Sequence, residues 1–284
     1  MDELVKAEKW TTTETKFCSV EVPLWNGLSL FVDGNSKVTA ENGTMEEPVP
    51  NAFSLPHIAT CPKSTSVCRE TCYVNGLMKY SPDTYVRYLE NLRVIQEVLM
   101  SSRSMDAASA TLAQHISQTV TSFRWHVSGD VFSPRYAEWI VTTCNRAPNV
   151  KFWIYTRSTN LLDTLMFADN LVINVSADEK NAETAIPAAR ERGLRVCYET
   201  IDGSFPELEQ DDVVFPDYDF RGRKLDKPTD HPWFQSMSKD QRRLPCVADF
   251  WGQSEKTRCG PCNVCMRPKK ENPKKVESHL YVLQ

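Results

Sequence analysis

The stretch that decides the fold runs from residue 123 to residue 198, where short apolar runs alternate with helical segments. The runs read FRWHV (123–127), KFWIY (151–155), LVINV (171–175) and LRVCY (194–198), and a fifth, VVF, follows at 213–215. Apolar runs of this length, spaced widely enough for a helix between them, are typical of strand–helix–strand units with parallel pairing. The sequence therefore predicts an α/β protein whose sheet forms an open or partial (β/α) barrel, with a flat doubly wound sheet as the alternative.

Small polar or charged residues follow each of the first four runs. They are Ser128-Gly129-Asp130, Thr156-Arg157-Ser158, Ser176-Ala177-Asp178 and Glu199-Thr200. Ligands of α/β folds bind at the carboxyl ends of the strands, so four such sets together predict one shared polar ligand site. For any single residue the alternative is a helix cap, because Ser, Thr and Asp satisfy the free N–H groups at a helix start.

The remaining sequence divides the chain into three predicted parts. These are an extended lead-in at 1–55, a part at 56–220 that holds a cysteine loop, helices and the partial barrel, and a cysteine-rich segment with a basic tail at 221–284. The lead-in carries turn signals such as Asp33-Gly34-Asn35. Apolar residues at intervals of three and four predict two helices, at 83–100 and 105–120.

The composition excludes several classes of protein. The chain has 284 residues, of which 41% are hydrophobic and 25% charged, so general disorder is excluded and a sizeable core is expected. No apolar run approaches the roughly 20 residues that cross a bilayer. The charged N-terminus lacks a secretory signal, so we expect a protein of the cytoplasm. A net charge of −4 argues against binding nucleic acid by bulk charge alone.

Ten cysteines in a chain expected to fold in a reducing compartment indicate metal ligands rather than disulfides. The sharper signal is Cys259-x2-Cys262-x2-Cys265, because three thiolates at this spacing and one from a distance suit a [4Fe–4S] cluster. Cys246 is the natural fourth ligand. Zinc, which more often uses two separated Cys-x2-Cys pairs, and free thiols are the alternatives.

A second group of cysteines has the spacing Cys61-x6-Cys68-x3-Cys72. A cluster held by only three cysteines leaves one iron open to a substrate or cofactor, much as an open zinc site does. The alternative is a closed site, completed by Cys144, Cys197 or His57. Otherwise the isolated cysteines Cys18, Cys144 and Cys197 are interpreted as small buried hydrophobic residues.

Several motifs carry a resemblance to a known family. They are GNSK (34–37), FSLP (53–56), TCP (60–62), Cys72-Tyr73, SGDVFS (128–133), YTRS (155–158) and the closing Cys-x2-Cys-x2-Cys. Over residues 26–267 the chain resembles an uncharacterised group of phage and prophage proteins labelled gene product 88. More distantly, a three-cysteine group ahead of a partial (β/α) barrel is similar to radical S-adenosylmethionine enzymes, whose fold the resemblance implies here.

The resemblance implies roles for individual residues. Cys61, Cys68 and Cys72 would hold a [4Fe–4S] cluster whose open iron takes the amino and carboxylate groups of S-adenosylmethionine. Ser128, Gly129 and Asp130 would contact the methionine amino group, and the rest of the cofactor site would be lined by Tyr73, Thr156, Arg157, Ser176, Asp178 and Glu199. Cys246, Cys259, Cys262 and Cys265 would resemble an auxiliary cluster. The first group departs from the usual C-x3-C-x2-C spacing, and Asp130 stands where Glu is common.

These observations lead to one function hypothesis and two alternatives. The resemblance implies a phage-type iron–sulfur enzyme of the host cytosol that uses S-adenosylmethionine to generate a radical on an unknown substrate. The first alternative is a non-catalytic iron–sulfur protein that binds a host protein or nucleic acid through Arg221, Arg223, Lys224 and the basic residues of 267–275; a solvated tail is the simpler explanation of those charges. The second alternative is a zinc-stapled α/β protein.

Overall fold

The computed structural model describes residues 17–25, 27–217 and 228–269. Its centre is one eight-stranded sheet whose strands lie side by side in chain order. The strands are β1 (Phe17–Pro23), β2 (Ser29–Asn35), β3 (Ala52–Phe53), β4 (Ser122–Trp125), β5 (Lys151–Thr156), β6 (Leu171–Ala177), β7 (Arg195–Thr200) and β8 (Val213–Pro216). β1, β2 and β3 pair antiparallel, and every pair from β3 to β8 is parallel. The sheet is open, with β1 and β8 at its edges.

Helices connect most of the parallel strands. They are α1 (Ser66–Thr71), α2 (Val74–Tyr80), α3 (Pro82–Val98), α4 (Ser102–Thr119), α5 (Pro134–Arg146), α6 (Leu162–Leu165), α7 (Ala182–Glu191), α8 (Pro232–Ser236), α9 (Val247–Phe250) and α10 (Cys259–Cys262). The two helices predicted at 83–100 and 105–120 are confirmed as α3 and α4, within three residues at each end. Ser101 caps α4 by accepting a hydrogen bond from the Ser104 N–H.

One face of the sheet is apolar and lies against the helices. Parallel strands that follow one another in chain order receive their right-handed crossovers on a single face. Side chains that sit beside one another across the strands, such as Trp125, Ile154 and Ile173, are buried there with α3, α4, α5 and α7 in one core. The α/β prediction is therefore confirmed as a mostly parallel open sheet.

The opposite face of the sheet carries polar and thiol side chains, and we call it the polar face. Register places Arg124 of β4, Tyr155 of β5, Asn174 of β6 and both Arg195 and Cys197 of β7 on this side. It is covered by the segment at 244–269, which the sequence assigned to the cysteine-rich part of the chain. Backbone pairing holds that segment, because the Cys246 N–H donates to Val214 O at 2.8 Å.

The predicted turn at Asp33-Gly34-Asn35 is wrong, because these residues end β2. Glycine favours the close packing there: a Cβ on Gly34 would lie 3.3 Å from the backbone of Pro50 and of Asn51, a tight contact. Asp33 is buried and accepts hydrogen bonds from Ser54 Oγ (3.0 Å) and Tyr88 OH (2.8 Å). A turn-like composition therefore marks a close backbone approach and a buried carboxyl.

Asp33 makes the stability of the protein depend on pH. Burial raises its pKa to about 7, although hydrogen bonds from Tyr88 and Ser54 oppose the shift. The fold therefore favours the protonated carboxyl, whose contribution is complete below the ordinary aspartate pKa of about 4 and is lost as pH rises through about 7. We expect urea denaturation to show that wild-type stability falls from about pH 5 to about pH 8, and that Asp33→Asn reduces this fall.

The exposed Asp106 provides the control, because its carboxylate lies on the surface of α4. Asp106→Asn should leave the pH dependence of unfolding as it is in the wild type. An equal fall in stability for Asp33→Asn and the wild type would contradict the assignment of a protonated Asp33.

Candidate functional site at the strand ends and on the polar face

The loop between β3 and α1 brings Cys61 to the carboxyl end of β4. Leu55 N–H donates to Ser128 O at 2.9 Å, so the sheet pairing continues two residues beyond β3. Gly129 has φ +87°, and a Cβ there would lie 2.7 Å from Thr60 Oγ1 and 2.8 Å from Leu55 Cβ. The glycine of the predicted Ser-Gly-Asp site is therefore needed for the cysteine loop to pass the strand end.

Cys61, Cys68 and Cys72, which we call the strand-end cysteine group, are partly exposed and lie together. Burial, together with the charges of Asp130, Cys68 and Cys72, raises the pKa of Cys61 to about 12. Burial also raises the pKa of Cys68, against the lowering effect of the Arg157 guanidinium, and that of Cys72. The loop and α1 therefore bring the three thiols close enough for their charges to interact.

A buried arginine joins the ends of three strands beneath these thiols. Arg157 Nη1 lies 2.7 Å from Asp178 Oδ2, and Arg157 Nη2 lies 3.0 Å from Glu199 Oε2. The Arg157 backbone N–H donates to Asp130 Oδ2 at 2.9 Å. The side chains of Asp178 and Arg157 are 0% and 8% exposed, so the pair is shielded from water, whereas Glu199 is 28% exposed. The sequence prediction that these strand ends meet is consistent with this geometry.

Two threonines attach the cysteine loop to the same carboxylates. Thr65 Oγ1 donates to Asp178 Oδ2, and Thr71 Oγ1 donates to Glu199 Oε1 at 2.6 Å. Thr65 is also the N-cap of α1, where it accepts the Cys68 N–H at 3.0 Å. Sequence reasoning missed both threonines, although Thr65 three residues before Cys68 is an N-cap signal.

The other predicted cofactor-binding residues have structural partners of their own. Asp130 accepts hydrogen bonds from Thr156 Oγ1 (2.6 Å) and from the N–H groups of Val131 and Arg157, and burial raises its pKa to about 6. Ser176 O accepts from Asn181 Nδ2 at 3.2 Å. By contrast, the Ser128 hydroxyl is buried without a hydrogen-bond partner. Ser128 thus keeps a buried polar atom that no described residue satisfies.

The C-terminal cysteine group, Cys246, Cys259, Cys262 and Cys265, lies on the polar face of the sheet. Cys259 N–H donates to Lys37 O at 2.9 Å, and its side chain packs on Val38, Ala52 and Val127. Cys265 O accepts from Asn174 Nδ2 at 3.0 Å. Each of Cys246, Cys259 and Cys262 interacts electrostatically with Cys265, so the four cysteines belong to one region of the polar face.

A fifth thiol, Cys197 of β7, belongs to this surrounding and was missed. The neighbouring Cys197 thiol lowers the pKa of the Cys265 thiol to about 6, and Tyr155 contributes to the same shift, against the effect of burial. Cys197 therefore lies away from the strand-end cysteine group, whose site it completes in the closed-site alternative. Its position between Arg195 and Glu199 on an alternating strand was the available signal that it faces the polar side. Cys144 is buried as predicted, beneath Trp125 Nε1.

All ten cysteines are free thiols in the structure. In the described part of the chain, no three or more His, Cys, Asp or Glu side chains form a group that could hold a metal ion.

Only some of the basic residues proposed for nucleic-acid or protein binding lie within the described residues. Arg221, Arg223, Lys224 and the stretch 270–275 lie outside the described residues. Within them, Lys269 Nζ pairs with Glu209 at 2.6 Å, and Arg267 donates to Asn263 O at 3.0 Å. Of the helices at 17–25, 27–217 and 228–269, none has the length and apolar character needed to span a bilayer.

Comparison with known proteins gives a family but no activity. A family model described as gene product 88 matches residues 29–268. The Gene 88 protein of Mycobacterium phage L5 is 26% identical over 167 residues, covering 56% of this chain and 69% of the relative. The Gene 88 protein of Mycobacterium phage D29 is 25% identical over 193 residues, covering 63% and 79%. No solved structure gives a significant match.

The buried pair of Arg157 and Asp178 is expected to stabilise the strand-end site strongly. Arg157→Leu leaves the Asp178 carboxylate buried without its cation, which we expect to cost about 3–5 kcal/mol of unfolding free energy. The double variant Arg157→Leu/Asp178→Asn should recover part of that loss. Urea denaturation of the wild type, both single variants and the double variant measures the coupling.

The matched control is the surface pair of Arg192 and Asp163, whose carboxylate side chain is 76% exposed. Arg192→Leu should destabilise the protein much less than Arg157→Leu, because water already solvates Asp163. Equal losses for the two arginine variants would show that the strand-end pair has no special energetic role.

Proposed function

This chain belongs to the gene product 88 family, and because neither that description nor its relatives' names state an activity, we propose a function from the site itself. The proposal is an iron–sulfur protein in which Cys61, Cys68 and Cys72 hold a [4Fe–4S] cluster with one open iron. That iron would bind S-adenosylmethionine, and the protein would generate a radical on its substrate. The C-terminal cysteine group would hold a second cluster.

The observation that carries the proposal is the meeting of three thiols at the carboxyl ends of parallel strands. This edge of the sheet is where α/β proteins bind ligands. The thiols are partly exposed, whereas the arginine and carboxylates that fix their loop are largely buried. A rigid polar base beneath accessible sulfur ligands is a suitable support for a bound cluster.

The donor set suits a cluster better than one zinc ion. Each thiolate of a [4Fe–4S] cluster binds a different iron atom, so the sulfurs lie farther apart than four ligands of one tetrahedral ion. Within each cysteine group the thiols are close enough for their charges to interact. Metal binding would deprotonate thiols whose pKa burial now raises.

A cluster with an open iron supplies, when bound, the electron that cleaves the sulfonium of S-adenosylmethionine. The chain supplies the surroundings. Ser128 has a buried hydroxyl free to bond a polar group of a ligand, and Glu199 offers a partly exposed carboxylate to an amino group. Arg157 keeps Glu199 in place at 3.0 Å, and the loop at 55–72 covers the strand ends. These residues would orient the cofactor and shield it from water.

The first test is the metal content of protein purified without oxygen. We expect about eight iron and eight sulfide per chain, the content of two [4Fe–4S] clusters. Cys68→Ala and Cys262→Ala should each lose about half, because they belong to different groups. Cys144→Ala is the matched control, since Cys144 is buried in the helix-covered core and should not affect metal.

The other outcomes decide between the alternatives. Zinc without sulfide would overturn the iron–sulfur proposal in favour of a zinc-stapled protein. About four iron and four sulfide, lost on Cys262→Ala but kept on Cys68→Ala, would leave only the C-terminal cluster. That result would favour the non-catalytic protein that binds a host protein or nucleic acid.

The second test asks whether S-adenosylmethionine is cleaved. Reduced protein with both clusters should convert it to methionine and 5′-deoxyadenosine, which liquid chromatography measures. Ser128→Ala should weaken cofactor binding, because it removes the free hydroxyl, while iron content stays the same. Absence of cleavage by protein with intact clusters would refute the radical chemistry.

A further inference from the structure

We infer that the edge strand β1 is a dimerisation surface, on which β1 of a second copy of this chain pairs antiparallel and extends the sheet. The two-fold axis passes through Val20, so that Phe17 of one copy faces Pro23 of the other. Neither cysteine group takes part in this pairing, and no bound metal is needed for it.

The two edges of the sheet differ in how they are covered. At β8 the chain covers its own edge, because Val214 N–H donates to Leu244 O at 2.7 Å and Cys246 N–H donates to Val214 O at 2.8 Å. At β1, β2 is the only strand neighbour within the described residues. An edge with unpaired N–H and C=O groups is a template for a strand of another chain.

The backbone groups of β1 that face the open edge follow from the contacts of β2. Asp33 O accepts a hydrogen bond from Asn51 N–H at 3.0 Å, so the backbone of Asp33 points away from β1. Asp33 lies opposite Ser19, and in an antiparallel pair the residues that bond each other alternate with those that do not. Ser19 therefore directs its N–H and C=O outward, as do Phe17 and Glu21.

Two further residues agree with this alternation. Phe31 lies opposite Glu21, and its N–H and C=O bind the Asn91 side chain at 2.7 and 2.9 Å instead of β1. Pro23 stands in the outward row, where its missing N–H removes no bond to β2. The outward row of β1 thus alternates regularly and ends at a residue that can only accept.

An unpaired arginine selects the register of the pairing. Arg87 Nη1 of α3 donates to Ser19 Oγ at 2.6 Å. With the axis at Val20, Ser19 faces Glu21 of the second copy, and directly opposed side chains lie on the same face of a sheet. Neither Arg87 nor Glu21 has an ion-pair partner in the part of the chain that the structure describes. The pairing brings these two opposite charges together, once on each side of the axis.

The same register satisfies the backbone and covers an apolar side chain. Ser19 and Glu21 of opposite copies exchange N–H···O bonds, and Phe17 N–H donates to the Pro23 carbonyl. Val20, which is exposed, meets its own copy at the axis. An axis at Glu21 would place two carboxylates opposite each other, and an axis at Ser19 would bring two Arg87 side chains together, so both are disfavoured.

The first experiment measures the mass of the full chain by sedimentation over a series of concentrations. We expect a concentration-dependent dimer of about twice the chain mass of 32.4 kDa. Ser19→Pro removes an N–H that faces the open edge and no bond to β2, so it should leave a monomer. The matched control is Ser19→Ala, which keeps the N–H and should remain a dimer. Circular dichroism checks that both variants fold.

The second experiment tests the register by exchanging charges. Glu21→Arg and Arg87→Glu should each raise the dissociation constant of the dimer roughly tenfold, because attraction becomes repulsion at two places. The double variant Glu21→Arg/Arg87→Glu should return it to near the unmutated value. Arg93→Glu is the control on the same helix, because Arg93 pairs with Glu90 and Glu97 of its own chain, and it should change little.

Contrary outcomes are equally definite. A monomer at every concentration of the unmutated chain overturns the dimer, and the edge is then either open or covered by residues 1–16 of its own chain. A dimer that persists unchanged in Ser19→Pro places the interface elsewhere and also overturns the proposal. If Ser19→Pro does not fold, the charge exchange decides: recovery in the double variant supports the pairing about Val20, and failure to recover overturns it.

Discussion

The structure depends on the unequal character of the two faces of its sheet. Consecutive parallel strands receive their helices on one face, and that face is filled by Trp125, Phe152 and other large apolar side chains. The polar side chains of the other face need hydrogen-bond partners, because Arg195 and Asn174 are buried there. The C-terminal segment provides those partners, because the backbone carbonyls of Cys265 and Arg267 accept hydrogen bonds from Asn174 and Arg195. The position of the cysteines is therefore a consequence of how the sheet is covered.

Much of this architecture could be predicted from the sequence, because the apolar runs and the helical periodicity are local signals. The parallel strands β4 to β8, α3 and α4 follow directly from them. The turn predicted at Asp33-Gly34-Asn35 is wrong because Gly and Asp occur not only in turns but also at close backbone contacts and at buried carboxyl sites. Here the glycine admits the backbone of Pro50, and the carboxyl is buried against Tyr88. Contacts between distant segments decide such cases, and a single sequence does not show them.

The site was predictable in its location and less so in its details. Polar residues after four strands indicated a common edge, and Asp130, Arg157, Asp178 and Glu199 do meet through hydrogen bonds and ion pairs. Their partners are one another and the threonines of the cysteine loop. Residue types alone do not reveal which of these side chains pair with one another. Cys197 was missed for a related reason, since a lone cysteine in an apolar run reads as core until the partner facing it is known.

The two cysteine groups are connected by a short path through the protein. Tyr73 follows Cys72 in the chain, and its hydroxyl donates to the carbonyl of Val127. The side chain of Val127 packs with Cys259 in a small cluster of its own. Tyr73 keeps 54% of its surface exposed while making this bond. Val127, two residues after β4, therefore contacts both groups: its carbonyl binds Tyr73 and its side chain packs with Cys259. The end of β4, with Arg124 on one side and Gly129 beyond it, is thus the part of the fold that both groups share.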